Sequence, residues 1–249
     1  MAARKTVPSG RLARTAESSS TGEQVDVAVA SLKRMATKKV RDGMARYGLP
    51  SEHALGVSVG DIQKLAKSLG RNHGLALALW ETGLYECRML AAYVDEPDRV
   101  TPSQMDRWCR DFDNWGICDT VCFAMFDRTK HAWSKVRQWA NRREEFVKRA
   151  AFALLWGLTV HDKQAGDEPF LEGLAIVELS ATDERHFVKK SVNMALRAIG
   201  KRNRPLNRSA VTLARRLAAT SNDTARWIGK DALRELDSSS VKRRLAARD

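Results

Sequence analysis

From Gln24 onward, apolar residues recur at spacings of three and four, and the strict alternation of a strand is almost absent. A chain patterned in this way buries its apolar surface by packing helix against helix, so the fold class is all-α. The pattern divides into helices near 24–35, 37–46, 60–69, 73–82, 85–95, 102–112, 115–127, 131–141, 144–159, 168–181, 184–200, 205–219 and 223–236. Start signals agree. Thr101 ahead of Pro102 places a hydroxyl cap before a proline at the first helical position. Thr182, followed by Asp183 and Glu184, offers cap chemistry ahead of 184–200, and Asp113 or Asn114 caps the helix beginning at Trp115.

A weak internal repeat narrows the architecture. Tyr85, Trp115, Phe146, Phe187 and Trp227 each open a helix, at steps of 30, 31, 41 and 40 residues. Three positions after each aromatic stand Arg88, Cys118, Arg149, Lys190 and Lys230, of which all but the cysteine are basic. Helix pairs repeating at this interval predict a HEAT-like α-solenoid, a curved superhelix of antiparallel helix pairs. Its concave surface would be lined by those cations. The competing architecture is an irregular helical bundle with coincidental spacing.

Residues 1–22 are rich in Ser, Gly and basic side chains with no apolar periodicity, and are expected to be a disordered leader. They hold no apolar run, so a secretory signal is not expected; an acid-poor, Arg-bearing composition gives only a faint likeness to an organelle transit peptide. Residues 23–249 are expected to form one domain, acting as a monomer. The chain carries a net charge of +13, which favours a polyanionic partner. No stretch approaches the ~18 apolar residues of a membrane span. Cys87, Cys109, Cys118 and Cys122 form no C-x-x-C pair, and Cys118 and Cys122 lie one helical turn apart, as two small core residues do. Reduced core thiols, no metal site and a cytoplasmic location are expected.

The positive charge is concentrated. Between Arg185 and Asn222 there is no carboxylate and there are ten basic residues. In 184–200, Val188, Val192, Ala195 and Ile199 form an apolar stripe, while Lys190, Met194, Arg197 and Lys201 lie opposite, followed by Arg202. In 144–159, Val147, Ala150, Leu154 and Leu158 form the core stripe, with Arg149, Ala153 and Trp156 opposite. Trp156 either packs against the next repeat or faces the groove beside Arg149. Basic residues interleaved with an aromatic suit a phosphate–sugar backbone. An acidic peptide is the other partner a basic solenoid could take.

The segment Asp111–Asp119 holds the candidate chemistry. Cys118, Val121, Cys122 and Met125 make the buried stripe of its helix, which places Trp115 and Asp119 together on the other side. A carboxylate beside an indole in a phosphate-binding groove suits a cationic ligand, through charge stabilisation and cation–π attraction of about 0.5–2 kcal/mol. The structural alternative is that Asp119 pairs with a nearby Arg and Trp115 packs between repeats.

Five segments carry a family resemblance: Phe112-Asp113-Asn114-Trp115 through Asp119, Glu145–Arg149, Val160-His161-Asp162-Lys163, Phe187–Lys190 and, most specifically, Ala195–Asn203. Over roughly residues 25–245 the chain resembles the HEAT-like-repeat DNA alkylation repair family, the AlkD-type alkylpurine DNA glycosylases. The resemblance implies a curved helical array on double-stranded DNA. It also implies excision of cationic N3- and N7-alkylpurines without metal or cofactor, as a step of base excision repair. Asp119 matches the family's catalytic carboxylate and Trp115 the aromatic one turn before it. Arg149 matches a basic residue near the lesion-side backbone, and Arg197 the Arg of the later helix. Met194 departs from the pattern, standing where active members usually place a second tryptophan; the family also holds relatives that bind branched or unusual DNA without excision. Three readings follow: a monofunctional glycosylase, a non-catalytic DNA-structure binder, and a helical scaffold with no nucleic-acid role. His161, at a helix end, is expected to be structural.

Overall fold

The computed structural model describes residues 20–49 and 54–247, so nearly all of the expected leader, 1–19, lies outside the described residues. Fourteen α-helices make up the described chain, and no strand occurs among the described residues. They are α1 (Thr21–Met35), α2 (Lys38–Met44), α3 (Val59–Leu69), α4 (His73–Glu81), α5 (Tyr85–Val94), α6 (Pro102–Arg110), α7 (Trp115–Ala124), α8 (Ala132–Ala140), α9 (Glu145–His161), α10 (Glu168–Ser180), α11 (His186–Ile199), α12 (Arg204–Ala219), α13 (Asp223–Leu236) and α14 (Ser239–Ala246).

The local chemistry explains most of the boundaries. α1 begins earlier than its apolar periodicity, because Ser20 and Glu23 form a reciprocal capping box. Thr101 caps α6 with Pro102 at its first position, and Asn114 caps α7 by accepting the Ile117 N–H at 2.9 Å. Thr182 does not cap the later helix. That helix starts at His186, and Asp183 is drawn instead into ion pairs with Arg185 and Lys148. The final short helix, α14, has too few apolar residues to announce itself by periodicity.

Odd-numbered helices stack side to side, α3 on α5, α5 on α7, α7 on α9, α9 on α11 and α11 on α13. α4, α8, α10 and α12 pack behind α5, α9, α11 and α13 respectively. The five repeat aromatics therefore stand on five successive members of one layer. This two-layered array of helix pairs is the solenoid arrangement that the repeat predicts.

α9 is the centre of the array, touching α6, α7, α8, α10 and α11. It is buried almost all round, including Ala151, Ala153 and Arg149, so Ala153 belongs to the core and not to a groove-facing stripe. The apolar stripe of α11 (Val188, Val192, Ala195, Ile199) is fully buried, as is that of the 115–125 segment. Close approach sets two glycines. A Cβ at Gly229 would stand 2.3 Å from the Ala218 backbone nitrogen, so α12 and α13 meet backbone to backbone there. A Cβ at Gly157 would stand 2.5 Å from Asp127 Oδ2. Glu86, fully buried, accepts the N–H groups of Leu55, Gly56 and Val57 at 2.9, 2.7 and 3.2 Å, fastening the 54–58 segment to α5. All four cysteines are unpaired and buried.

Candidate functional site

One stripe of α7 and one stripe of α9 meet along their length. Trp115, Asp119 and Phe123, each one turn from the next, form the first. Arg149 and Trp156, two turns apart, form the second. Asp119 and Arg149 join them by a two-pronged ion pair: Nε donates to Oδ1 at 2.8 Å and Nη2 to Oδ2 at 2.6 Å. A third Arg149 donor, Nη1, reaches the Phe187 carbonyl of α11 at 2.8 Å. One guanidinium thus ties three successive helices of the layer together. The side chains are 7 % (Arg149) and 16 % (Asp119) exposed, so Asp119 keeps a window to solvent while Arg149 does not. Burial pushes the Asp119 carboxyl above its ordinary value, and the facing guanidinium pulls it back.

The indole of Trp115 is half-exposed, and its N–H donates to the Tyr47 carbonyl at 2.8 Å. A Cβ at the next residue, Gly116, would strike Tyr85 Oη at 2.7 Å, so the start of α7 lies flush against α5. Further along, Trp156 is half-buried and its ring lies 4.4 Å from that of Phe123. Phe123 in turn touches His161, whose Nδ1 sits 2.5 Å from Asp127 Oδ2. Burial pushes the Asp127 carboxyl up to about 6, against the opposing pull of His161. His161 is thereby anchored in the packing. Phe123 was not among the residues that the sequence singled out, although its position four after Asp119 carried the signal.

The basic stripe of α11 faces α13. Lys190 lies over the Trp227 ring at 4.7 Å, joined by Lys189 at 4.9 Å. Arg197 pairs with Glu235 and with Asp231, the latter at 3.7 Å, and Lys201 pairs with Glu235 at 2.8 Å. Met194 is partly buried against the core between them. Arg202 donates to the Thr159, Asp162 and Ala165 carbonyls, closing the C-terminal end of α9, with Phe170 beneath it at 4.2 Å. The stretch without carboxylates is thus compensated in three dimensions: Arg216 meets Glu178 at 2.7 Å and Arg215 meets Asp237 at 3.7 Å. Of the four side chains expected to converge, Trp115, Asp119 and Arg149 share the α7–α9 seam. Arg197 belongs to a separate cluster on the α11–α13 seam.

The ends of α9 and α11 open into a cleft of about 560 Å³ that gathers Trp156, Lys201 and Arg202 with Lys163 and Arg244. No cluster of metal-ligating side chains occurs among the described residues, and no described helix is long and apolar enough to cross a membrane.

A model of the family described as "DNA alkylation repair enzyme" matches residues 28–236. Among solved structures, the fold is similar to one described as "a new family of proteins related to the HEAT-like repeat DNA glycosylases with affinity for branched DNA structures". That similarity has a TM-score of 0.71 at 20% identity, over 84% of this chain and 94% of that one. No curated protein matches the sequence.

Proposed function

The chain belongs to the family of DNA alkylation repair enzymes, and on that premise we propose that it binds duplex DNA along the odd-helix layer and excises positively charged N3- or N7-alkylated purines. The observation that carries this reading is the α7–α9 seam, where a partly exposed carboxylate stands one turn from a half-exposed indole, in a chain of net charge +13. An alkylated purine already bears the charge that makes it a leaving group. As its N-glycosidic bond breaks, the bonding pair stays with the base, which leaves neutral, and positive charge builds on the sugar. Asp119 stabilises that charge, and Trp115 attracts the cationic base through its π face. The two-pronged grip of Arg149 occupies one lone pair on each carboxylate oxygen and leaves the others to orient a water. That water adds its hydroxyl to the sugar carbon, and its proton passes to bulk solvent.

The test is release of free base from duplexes carrying 7-methylguanine or 3-methyladenine, by wild type and Asp119→Asn. Release by the wild type alone supports the reading. Equal release by the variant removes Asp119 from the mechanism.

A second reading has its own support. Both Asp119 oxygens are engaged by Arg149, and Met194 stands where the resemblance expects a second tryptophan. These features suit a protein that recognises branched or damaged DNA without excision; the similar solved structure is described as having affinity for branched DNA structures. Salt-sensitive DNA binding with no base release by the wild type would decide for it.

A further inference from the structure

The cleft at the ends of α9 and α11 has a composition that the excision chemistry does not use. Among the described residues its wall holds Trp156 and four cations, Lys163, Lys201, Arg202 and Arg244, against one carboxylate, Asp167. Asp167 is occupied, accepting the Asn203 side-chain N–H at 2.7 Å. Lys163 and Arg244 are exposed, and their side chains form no ion pair among the described residues. Most cations nearby are bound differently: Arg197 and Lys201 lean on Glu235, and Arg202 on backbone carbonyls. Trp156 is held in place by Phe123 on one side and lines the cleft. A fixed indole beside the exposed Lys163 and Arg244 is the pairing that takes one base by stacking and its phosphate by charge. The volume of about 560 Å³ lies within the ~300–1,000 Å³ of small-ligand sites.

The geometry points to this cleft as a receptor for a single unstacked nucleotide, its base against Trp156 and its phosphate between Lys163 and Arg244. The inference rests on the DNA-binding reading and names where a displaced strand goes. Trp156 follows Arg149 by seven residues on α9, which is two turns or about 10 Å of axial rise. At ~3.4 Å per nucleotide along one strand, this is about three nucleotides from the Asp119–Arg149 pair. A regular duplex keeps every base stacked inside the helix and offers nothing to the cleft. DNA with an unpaired nucleotide, at a bulge or a branch, does.

The test uses fluorescence anisotropy with two labelled DNAs, a plain duplex and the same duplex carrying one bulged nucleotide, against wild type and Lys163→Ala/Arg244→Ala. Both substituted side chains are exposed, so the fold is retained. The expected result is about tenfold tighter binding of the bulged DNA by the wild type, reduced to less than twofold in the double variant, with plain-duplex affinity changed less than threefold. Trp156→Leu should remove the same preference. A preference that survives the double variant, or a wild type that binds both DNAs equally, overturns the receptor and leaves duplex binding standing. A wild type that binds neither DNA overturns the DNA-binding reading and the receptor with it.

Discussion

Arg149→Gln and Asp119→Asn, separately and together, form a cycle whose outcome follows from the geometry of the α7–α9 seam. The pair is desolvated, at 7 % and 16 % side-chain exposure, and makes two direct hydrogen bonds. Removing one partner of a buried pair strands the other charge, at about 3–5 kcal/mol. The two single changes should differ. In Asp119→Asn the stranded group is a guanidinium, which cannot shed its proton, so the cost should be nearly independent of pH between 5 and 8. In Arg149→Gln the stranded group is a carboxyl already pushed up by burial, so it escapes by protonating. Its cost should therefore fall at lower pH, by about 1.4 kcal/mol for each unit once the folded carboxyl has taken up its proton, until the unfolded chain's carboxyl is protonated as well. That variant also loses the bond to the Phe187 carbonyl, worth about 1 kcal/mol. The double variant strands no charge, so it should cost less than the sum of the singles by at least about 1–2 kcal/mol. For a chain of this length, about 2–4 °C of melting temperature accompanies each kcal/mol, so single losses of about 6–20 °C are expected in thermal denaturation. Singles that add to the double within ~0.5 kcal/mol would refute the argument. The same measurement guards the excision assay, because a melted Asp119→Asn protein would imitate a catalytic defect.

Three further expectations follow from particular contacts. Met194→Trp should raise single-turnover base release by about 2- to 30-fold, the equivalent of a 0.5–2 kcal/mol cation–π contribution; no gain would show that this position does not limit the reaction. Gly229→Ala should cost about 3 kcal/mol, read as a shift of the urea midpoint, because its Cβ meets the α12 backbone. Gly60→Ala, where a Cβ meets only Ser58 Oγ at 3.9 Å, should be neutral or stabilising; equal effects would contradict the close approach of α12 and α13. Asp127, ionising at about 6 in the fold against 3.8 outside it, binds its proton more tightly when folded. Its contribution to stability is whole below pH 3.8 and is lost as pH rises through about 6, by about 3 kcal/mol. The stability difference between wild type and Asp127→Asn, measured by urea denaturation, should therefore change by about that amount between pH 4 and pH 7.5. A constant difference would mean that the burial of Asp127 is not what raises it.

The all-α fold, its repeat and its main buried stripes were set down by the sequence itself. Helical period is a local property, and five aromatics at successive steps mark five helices that must meet one another to be buried. Capping chemistry was equally local: Ser20, Thr101 and Asn114 each reach a backbone N–H within three residues. The family was legible too, since Phe112–Asp119 and Ala195–Asn203 are contiguous segments. What only tertiary structure decided is which charges remain unpaired and which faces remain open. Arg197 finds Glu235 38 residues away, Arg216 finds Glu178 38 residues back, and Asp119 finds Arg149 30 residues on. A run of 38 residues with no carboxylate therefore says little about net charge on the surface it builds. In a solenoid the neighbour of a side chain is the next repeat, so electrostatic partners, the burial of α9 and the cleft beside Trp156 depend on register between repeats. Coulombic attraction and desolvation act over ångströms of space and not along the chain, so the order of residues alone could not fix them.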